Sequence, residues 1–202
     1  MKKKGKAPTP VTRPVRAAAV SACNIEGRSY HEGRSRYPGT VVTAYLALGS
    51  NLGDRRAFLH AAAAALGRVA GTRLLAESSI YETVPEGNAP EPLYLNAVVR
   101  VETSLTARQL LDSCLDIERM LGRIRPADGA KRARVIDIDL LLFGEQTIDE
   151  LGLRVPHPAL LARPFVRIPL ADVATPGLCH PQTGSRLDTS GPDAGVRRLS
   201  DW

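Results

Sequence analysis

A chain of 202 residues with 44% apolar and 24% charged residues is long enough to bury one core unaided and has the composition of an ordinary globular domain. No apolar run approaches the roughly 18 residues of a membrane-spanning helix, which argues against a transmembrane role. The net charge of +6 hints at nucleic acid only until it is divided: residues 1–40 hold nine Lys and Arg against two acids, whereas 41–202 hold eighteen against nineteen.

Residues 1–40 collect Lys, Pro, Gly, Ser and Arg without periodicity and read as a disordered basic extension. Within them, Ala17 to Cys23 is too short and too broken by Arg13, Pro14 and Arg16 to serve as a secretory leader. Order is expected over 41–180. Val41 to Leu48 reads as a buried strand ended by Gly49-Ser50-Asn51, and Asp54 opens a helix of about sixteen residues closing at Gly67 or Gly71. Leu74 to Tyr81 reads as a second strand, 83–92 as a proline-rich loop, and Tyr94 to Val101 as a third strand. Thr106 caps a helix whose Leu110, Leu111, Leu115, Ile117 and Leu121 form an apolar stripe, stopped by Gly122. After an arginine-rich loop over 123–134, Val135 to Phe143 is a fourth strand. The order β-α-β-β-α-β predicts a ferredoxin-like α+β fold with a mainly antiparallel sheet. A further helix is expected over 164–173, and 181–202 lose their apolar pattern and read as a poorly ordered tail.

Asp137-Ile138-Asp139 interrupts an apolar run. Residues two apart on a strand share a face, so both carboxylates emerge together while Ile136, Ile138 and Leu140 face the other way. A surface edge strand explains this pattern, and so does a pair of ligands for a hard divalent cation. Arg123, Arg125, Lys131, Arg132 and Arg134 lie directly before that strand, with Arg119 on the preceding helix. Cations beside paired carboxylates suit a metal–polyphosphate complex, with acids on the metal and guanidinium groups on phosphate oxygens. Gly49-Ser50-Asn51-Leu52-Gly53 is a strand-to-helix turn whose amides can hold an anion, although no Walker sequence is present. His157 stands between Pro156 and Pro158, near Arg163, where an imidazole can donate to an oxyanion. Cys23, Cys114 and Cys179 show neither metal spacing nor a disulfide framework, which points to a reducing, cytoplasmic setting.

In order along the chain stand Gly49-Ser50-Asn51-Leu52-Gly53-Asp54, Ser78-Ser79-Ile80-Tyr81-Glu82-Thr83, Tyr94-Leu95-Asn96-Ala97, Ile117-Glu118-Arg119 and Gly122-Arg123-Ile124-Arg125. Arg134 to Gly144, Val155-Pro156-His157-Pro158 and Arg163-Pro164-Phe165 follow. This series, spanning roughly 42–175, resembles the 6-hydroxymethyl-7,8-dihydropterin pyrophosphokinases of folate biosynthesis. The resemblance implies pyrophosphate transfer from ATP to the hydroxymethyl group of the reduced pterin, releasing AMP. It implies two Mg²⁺ ions on Asp137 and Asp139, with Arg123 and Arg134 assisting the chemical step. Glu118, Arg125, Leu140, His157 and Arg163 would then contact ATP. Thr83, Tyr94, Asn96 and Phe165 would hold the pterin, by stacking and by its hydrogen-bonding edge.

Two stretches depart from the family pattern. Lys131-Arg132-Ala133-Arg134 stands where many members have Trp-Gly-Pro-Arg, and Val84 and Glu86 replace a proline and an apolar residue in the pterin loop. A diverged pterin-like substrate is the first alternative. The second is a nucleic-acid-binding module, which the lack of an RNP-like aromatic run disfavours. The expected protein is a cytoplasmic monomer, with no specific nucleic-acid partner and no membrane partner.

Overall fold

In the computed structural model, which describes residues 41–85, 92–125, 133–189, 195–200 and 202, the run Val42–Ser50 forms strand β1. Its apolar residues serve two faces: Leu46 and Leu48 enter one core and Tyr45 another. Asp54 accepts the Ala57 amide at 3.0 Å and caps helix α1 (Arg55–Leu66). With 12 residues, α1 is shorter than expected, because Gly67 closes it. Gly71 then turns the chain back with φ of +77°, a conformation glycine adopts freely.

Two strands, β2 (Thr72–Glu77) and β3 (Ile80–Thr83), replace the single strand expected over 74–81. Both pair antiparallel with β4 (Tyr94–Thr103), and Ser78 and Ser79 interrupt the ladder. Ser78 Oγ accepts the Val98 amide at 2.9 Å, and the Ser79 amide donates to Asp172 at 3.0 Å. Side chains here take backbone groups that a continuous strand would pair. Thr106 and Gln109 form a reciprocal capping box ahead of α2 (Ala107–Met120). Strand β5 (Asp137–Phe143) opens on the first acidic residue rather than at Val135. A small hairpin of β6 (Ile148–Glu150) and β7 (Leu153–Val155) follows, and α3 (Pro164–Val173) lies where the sequence places it.

The main sheet runs β5-β1-β4-β3, with β2 also on β4 and every pairing antiparallel, the ferredoxin-like α+β arrangement. Helices α1 and α2 cover one face through Leu59, Leu66, Leu110 and Ile117, and α3 covers part of the other through Val166 and Leu170. Part of the segment read as a poorly ordered tail is a strand among the described residues. Strand β8 (Val196–Ser200) joins the sheet against β3, with Arg198 opposite Tyr81 and Val196 opposite Thr83. Main-chain bonds hold it, so it needs little of the apolar patterning whose absence suggested disorder.

Cys114 is a buried free thiol, the reading its place in the helical pattern suggests. No helix among the described residues is long and apolar enough to cross a membrane. The basic extension 1–40, Glu86 and the loop residues Lys131 and Arg132 lie outside the described residues.

Candidate active site

Strand register builds the floor of the site. Gly49 of β1 lies opposite both Asn96 of β4 and Asp137 of β5, and Ala47 lies opposite Val98 and Asp139. Directly paired residues share a face. The middle of each row is therefore small, and a Cβ on Gly49 would stand 3.3 Å from Asn96 Oδ1 and 3.9 Å from Asp137 Cβ. On one side of this floor Asn96 Nδ2 donates to Thr83 Oγ1 at 2.8 Å, both side chains buried. Tyr94, two residues before Asn96, is half-buried on the same face. Phe165 sits in the first turn of α3, with the Arg163 guanidinium 5.6 Å from its ring centre.

On the other side, Asp137 holds Arg123 through Oδ1 and Arg134 through Oδ2. The same Arg123 nitrogen reaches Glu118 Oε1 on α2. Glu118 is only 1% exposed, and it also accepts the Ile138 amide at 2.8 Å and Arg125 Nη2 at 2.6 Å. It thus satisfies a main-chain donor on strand β5, which among the described residues has no strand neighbour on that side. Burial pushes its carboxyl up, against the pull of the Ile138 amide and the two guanidinium groups. Asn51 ties the arginine loop to the turn after β1, donating its amide to the Arg134 carbonyl at 3.1 Å and accepting the Arg134 amide at 2.7 Å. That turn therefore holds the protein's own loop through the Asn51 amide, where the sequence suggested an anion.

At the free edge of β5, Asp139, Leu140 and His157 line a cavity of about 780 Å³, walled by Leu111 of α2 and Leu153 of β7. Leu140 also belongs to the core beneath and is 4% exposed. The His157 amide donates to the Leu141 carbonyl at 2.9 Å, and its Nδ1 accepts the Ala159 amide at 3.1 Å. The proton of the neutral ring is then on Nε2. Burial, reinforced by Arg163, holds the imidazole below its ordinary range against the pull of Asp137, so it is a neutral donor at pH 7.

Burial and then repulsion from Asp137 push the Asp139 carboxyl to about 6, although Arg123, Arg163 and Arg134 oppose the shift. Its ordinary value of 3.8 serves for the unfolded chain, so the folded chain binds this proton more tightly. The contribution of Asp139 to stability is full below about pH 4 and is lost as pH rises through 6. Asp139→Asn should therefore stabilise the metal-free protein at pH 7.5 by about 1 kcal/mol, with no gain near pH 4. Thermal unfolding at the two pH values checks this, and equal midpoints at pH 7.5 would contradict it.

The donor set fits a hard divalent ion. No group of three or more His, Cys, Asp and Glu side chains suited to a metal occurs among the described residues. Two crowded carboxylates remain, and an ion held by them would complete its shell with oxygens from a phosphate ligand, the habit of Mg²⁺.

All the described candidates thus border one sheet face and its β5 edge. Two contributors escaped the sequence reading. The Asn51–Arg134 link joins segments whose partnership no spacing reveals. Arg55 donates to the Leu93 carbonyl at 2.8 Å and pairs with Glu82 at 3.3 Å, which holds both ends of the β3–β4 connection. A basic residue in the first turn of a helix opposes the helix dipole, and that anomaly was legible.

Carboxylates, guanidinium groups and a neutral imidazole around an open floor are the equipment of an enzyme that handles phosphate chains. Residues 45–175 match the family described as 7,8-dihydro-6-hydroxymethylpterin-pyrophosphokinase (HPPK). The chain is 45% identical over 134 residues to the 2-amino-4-hydroxy-6-hydroxymethyldihydropteridine pyrophosphokinase of Pseudomonas aeruginosa, covering 66% of this chain and 82% of that one. It is 41% identical over 134 residues to the protein of the same name from Methylorubrum extorquens, covering 66% and 84%. Among solved structures it is similar to Plasmodium falciparum HPPK-DHPS wild type with STZ-DHP, with a TM-score of 0.54 and 16% identity. That likeness speaks for the fold, and it covers 70% of this chain but 41% of the longer one. The chain belongs to the HPPK family of pyrophosphokinases.

Proposed function

We propose that the chain transfers the β,γ-pyrophosphate of ATP to the hydroxymethyl oxygen of 6-hydroxymethyl-7,8-dihydropterin in the cytoplasm, acting as a monomer without nucleic acid. The observation that carries this reading is the row Asn96–Gly49–Asp137. It sets a buried polar pair on one side of an uncluttered floor and the carboxylate–arginine cluster on the other. A flat heterocycle over Gly49 would meet Asn96 and Thr83 along its hydrogen-bonding edge, between the rings of Tyr94 and Phe165. Its hydroxymethyl group would then point toward Asp137 and Asp139.

Asp137 and Asp139 would hold two Mg²⁺ ions, which when bound neutralise the triphosphate and favour in-line attack at the β-phosphorus. Arg123 and Arg134 are positioned to transfer from Asp137 to phosphate oxygens once the carboxylate takes a cation. Arg125 and Arg163 add positive charge at the flanks. The His157 Nε2 proton can be donated to a phosphate oxygen without adding a charge, and Leu140 and Glu118 shape the wall behind. In the balanced reaction the acceptor oxygen bonds the β-phosphorus, the α–β bridging bond breaks, AMP leaves, and the hydroxyl proton passes to solvent.

The test is AMP release from Mg²⁺–ATP with and without the hydroxymethyl-dihydropterin. Acceptor-dependent AMP with a pyrophosphorylated pterin is expected. Binding of Mg²⁺–ATP without AMP formation would keep the phosphate site and remove this acceptor, leaving a diverged pterin as the reading to pursue.

A further inference from the structure

Strand β3 is four residues long, and it carries Thr83, the partner of Asn96, at its end. Pairing with β4 fixes one side of it through Tyr81↔Asn96, Glu82↔Leu95 and Thr83↔Tyr94. The other side would be a bare edge without β8, which pairs along it from Ile80↔Ser200 to Thr83↔Val196.

The side chains of this terminal segment converge on β3 and its flanks. Arg197 Nη2 donates to Glu82 Oε2 at 2.5 Å, while the other carboxylate oxygen of Glu82 faces Arg55. Arg198 donates to Ser79 Oγ at 2.6 Å and 2.9 Å. Trp202 Nε1 donates to the Ser78 carbonyl at 2.6 Å, and its ring meets His60 edge to face at 5.0 Å. At the opposite end, a Cβ on Gly195 would lie 3.5 Å from Val84, the first residue past β3. Glu82 is the hub: it joins β8 to Arg55, which in turn grips the Leu93 carbonyl just before Tyr94.

We infer that the C-terminal strand is part of the acceptor side of the active site, with Arg197 and Glu82 as positioning residues that hold Thr83 and Tyr94 at the spacing a flat heterocycle requires. The inference rests on the pterin reading above and deepens it. The phosphate side lies across the sheet on β5 and α2, with β1 and β4 between it and β3, so a disturbance of β8 reaches the acceptor first. Displacements of about 1 Å suffice to alter substrate positioning strongly.

The experiment uses the full chain carrying Arg197→Glu, which sets a carboxylate against Glu82, beside Arg197→Lys, which keeps the charge. The intact chain is assayed first, so that absence of pterin-dependent AMP overturns the functional reading, and this inference with it, before any variant is judged. For R197E we expect the acceptor KM to rise about tenfold, with kcat and the ATP KM within about twofold, and for R197K near-intact values. The chain's one tryptophan, Trp202, reports by its emission whether the strand stays docked. An unchanged acceptor KM overturns the inference, and so does an equal rise in both KM values, which would mark a general loss of structure. If R197E does not fold, Arg197→Ala is read by the same KM split.

Discussion

Asp137→Ala and Asp139→Ala should each lower AMP formation by about a thousandfold or more, since several kcal/mol of transition-state charge stabilisation would go with the cation they hold. The two losses should differ in what they do to the folded chain. Asp139 is half-buried beside a like charge, so its removal relieves repulsion and should raise the thermal midpoint of the metal-free protein. Asp137 holds Arg123 and Arg134, and Arg123 is 10% exposed at its side chain, so removing Asp137 leaves a nearly buried guanidinium with Glu118 alone and should lower the midpoint. Parallel measurement of turnover, Mg²⁺ titration and thermal unfolding separates these effects. If either variant keeps turnover within tenfold, the metal assignment is wrong.

Glu118→Ala should destabilise the protein by about 3 kcal/mol, the usual result of leaving one partner of a buried ion pair behind. Three donors lose an acceptor at once, the Ile138 amide, Arg123 and Arg125, and of these Arg123 keeps Asp137. Because Arg125 is 58% exposed and water can replace its partner, the cost falls chiefly on Ile138 and Arg123. Glu118→Gln should lie between, since its amide oxygen can serve one donor while its NH₂ opposes another. Activity should fall in both, because Arg123 is held in place by Glu118 on one side and Asp137 on the other. Chemical denaturation checks the first claim, and an unchanged midpoint for Glu118→Ala would contradict the buried-hub account.

The local signals that survived into three dimensions are those written within a few residues. The alternation around Asp137 and Asp139, the Thr106 cap and the helix over 164–173 each depend on neighbours in sequence. What sequence reading missed depends on distant partners. Ser79 breaks the expected strand because Asp172 of α3 takes its amide, and no property of 74–81 announces that acceptor. Strand β8 forms because β3 offers it an edge. Glu118 is an intermediate case. It lies four residues beyond the buried Cys114, so a carboxylate inside the apolar stripe was visible, yet its partners on β5 and the arginine loop were not. The family resemblance covered this gap by placing the residues in one site without explaining what holds them there.

The two ends of the sheet carry charge for different reasons. On β5, Asp137 and Asp139 stand where the chemistry wants them, and Glu118 has already taken the Ile138 amide. On β8, Arg197 and Arg198 occupy the other margin. Charged outer strands resist the strand-by-strand growth that turns an open sheet into an aggregate. The acidic pair thus gives the fold a second benefit, protection of an open β-sheet at the concentrations found in a crowded cell.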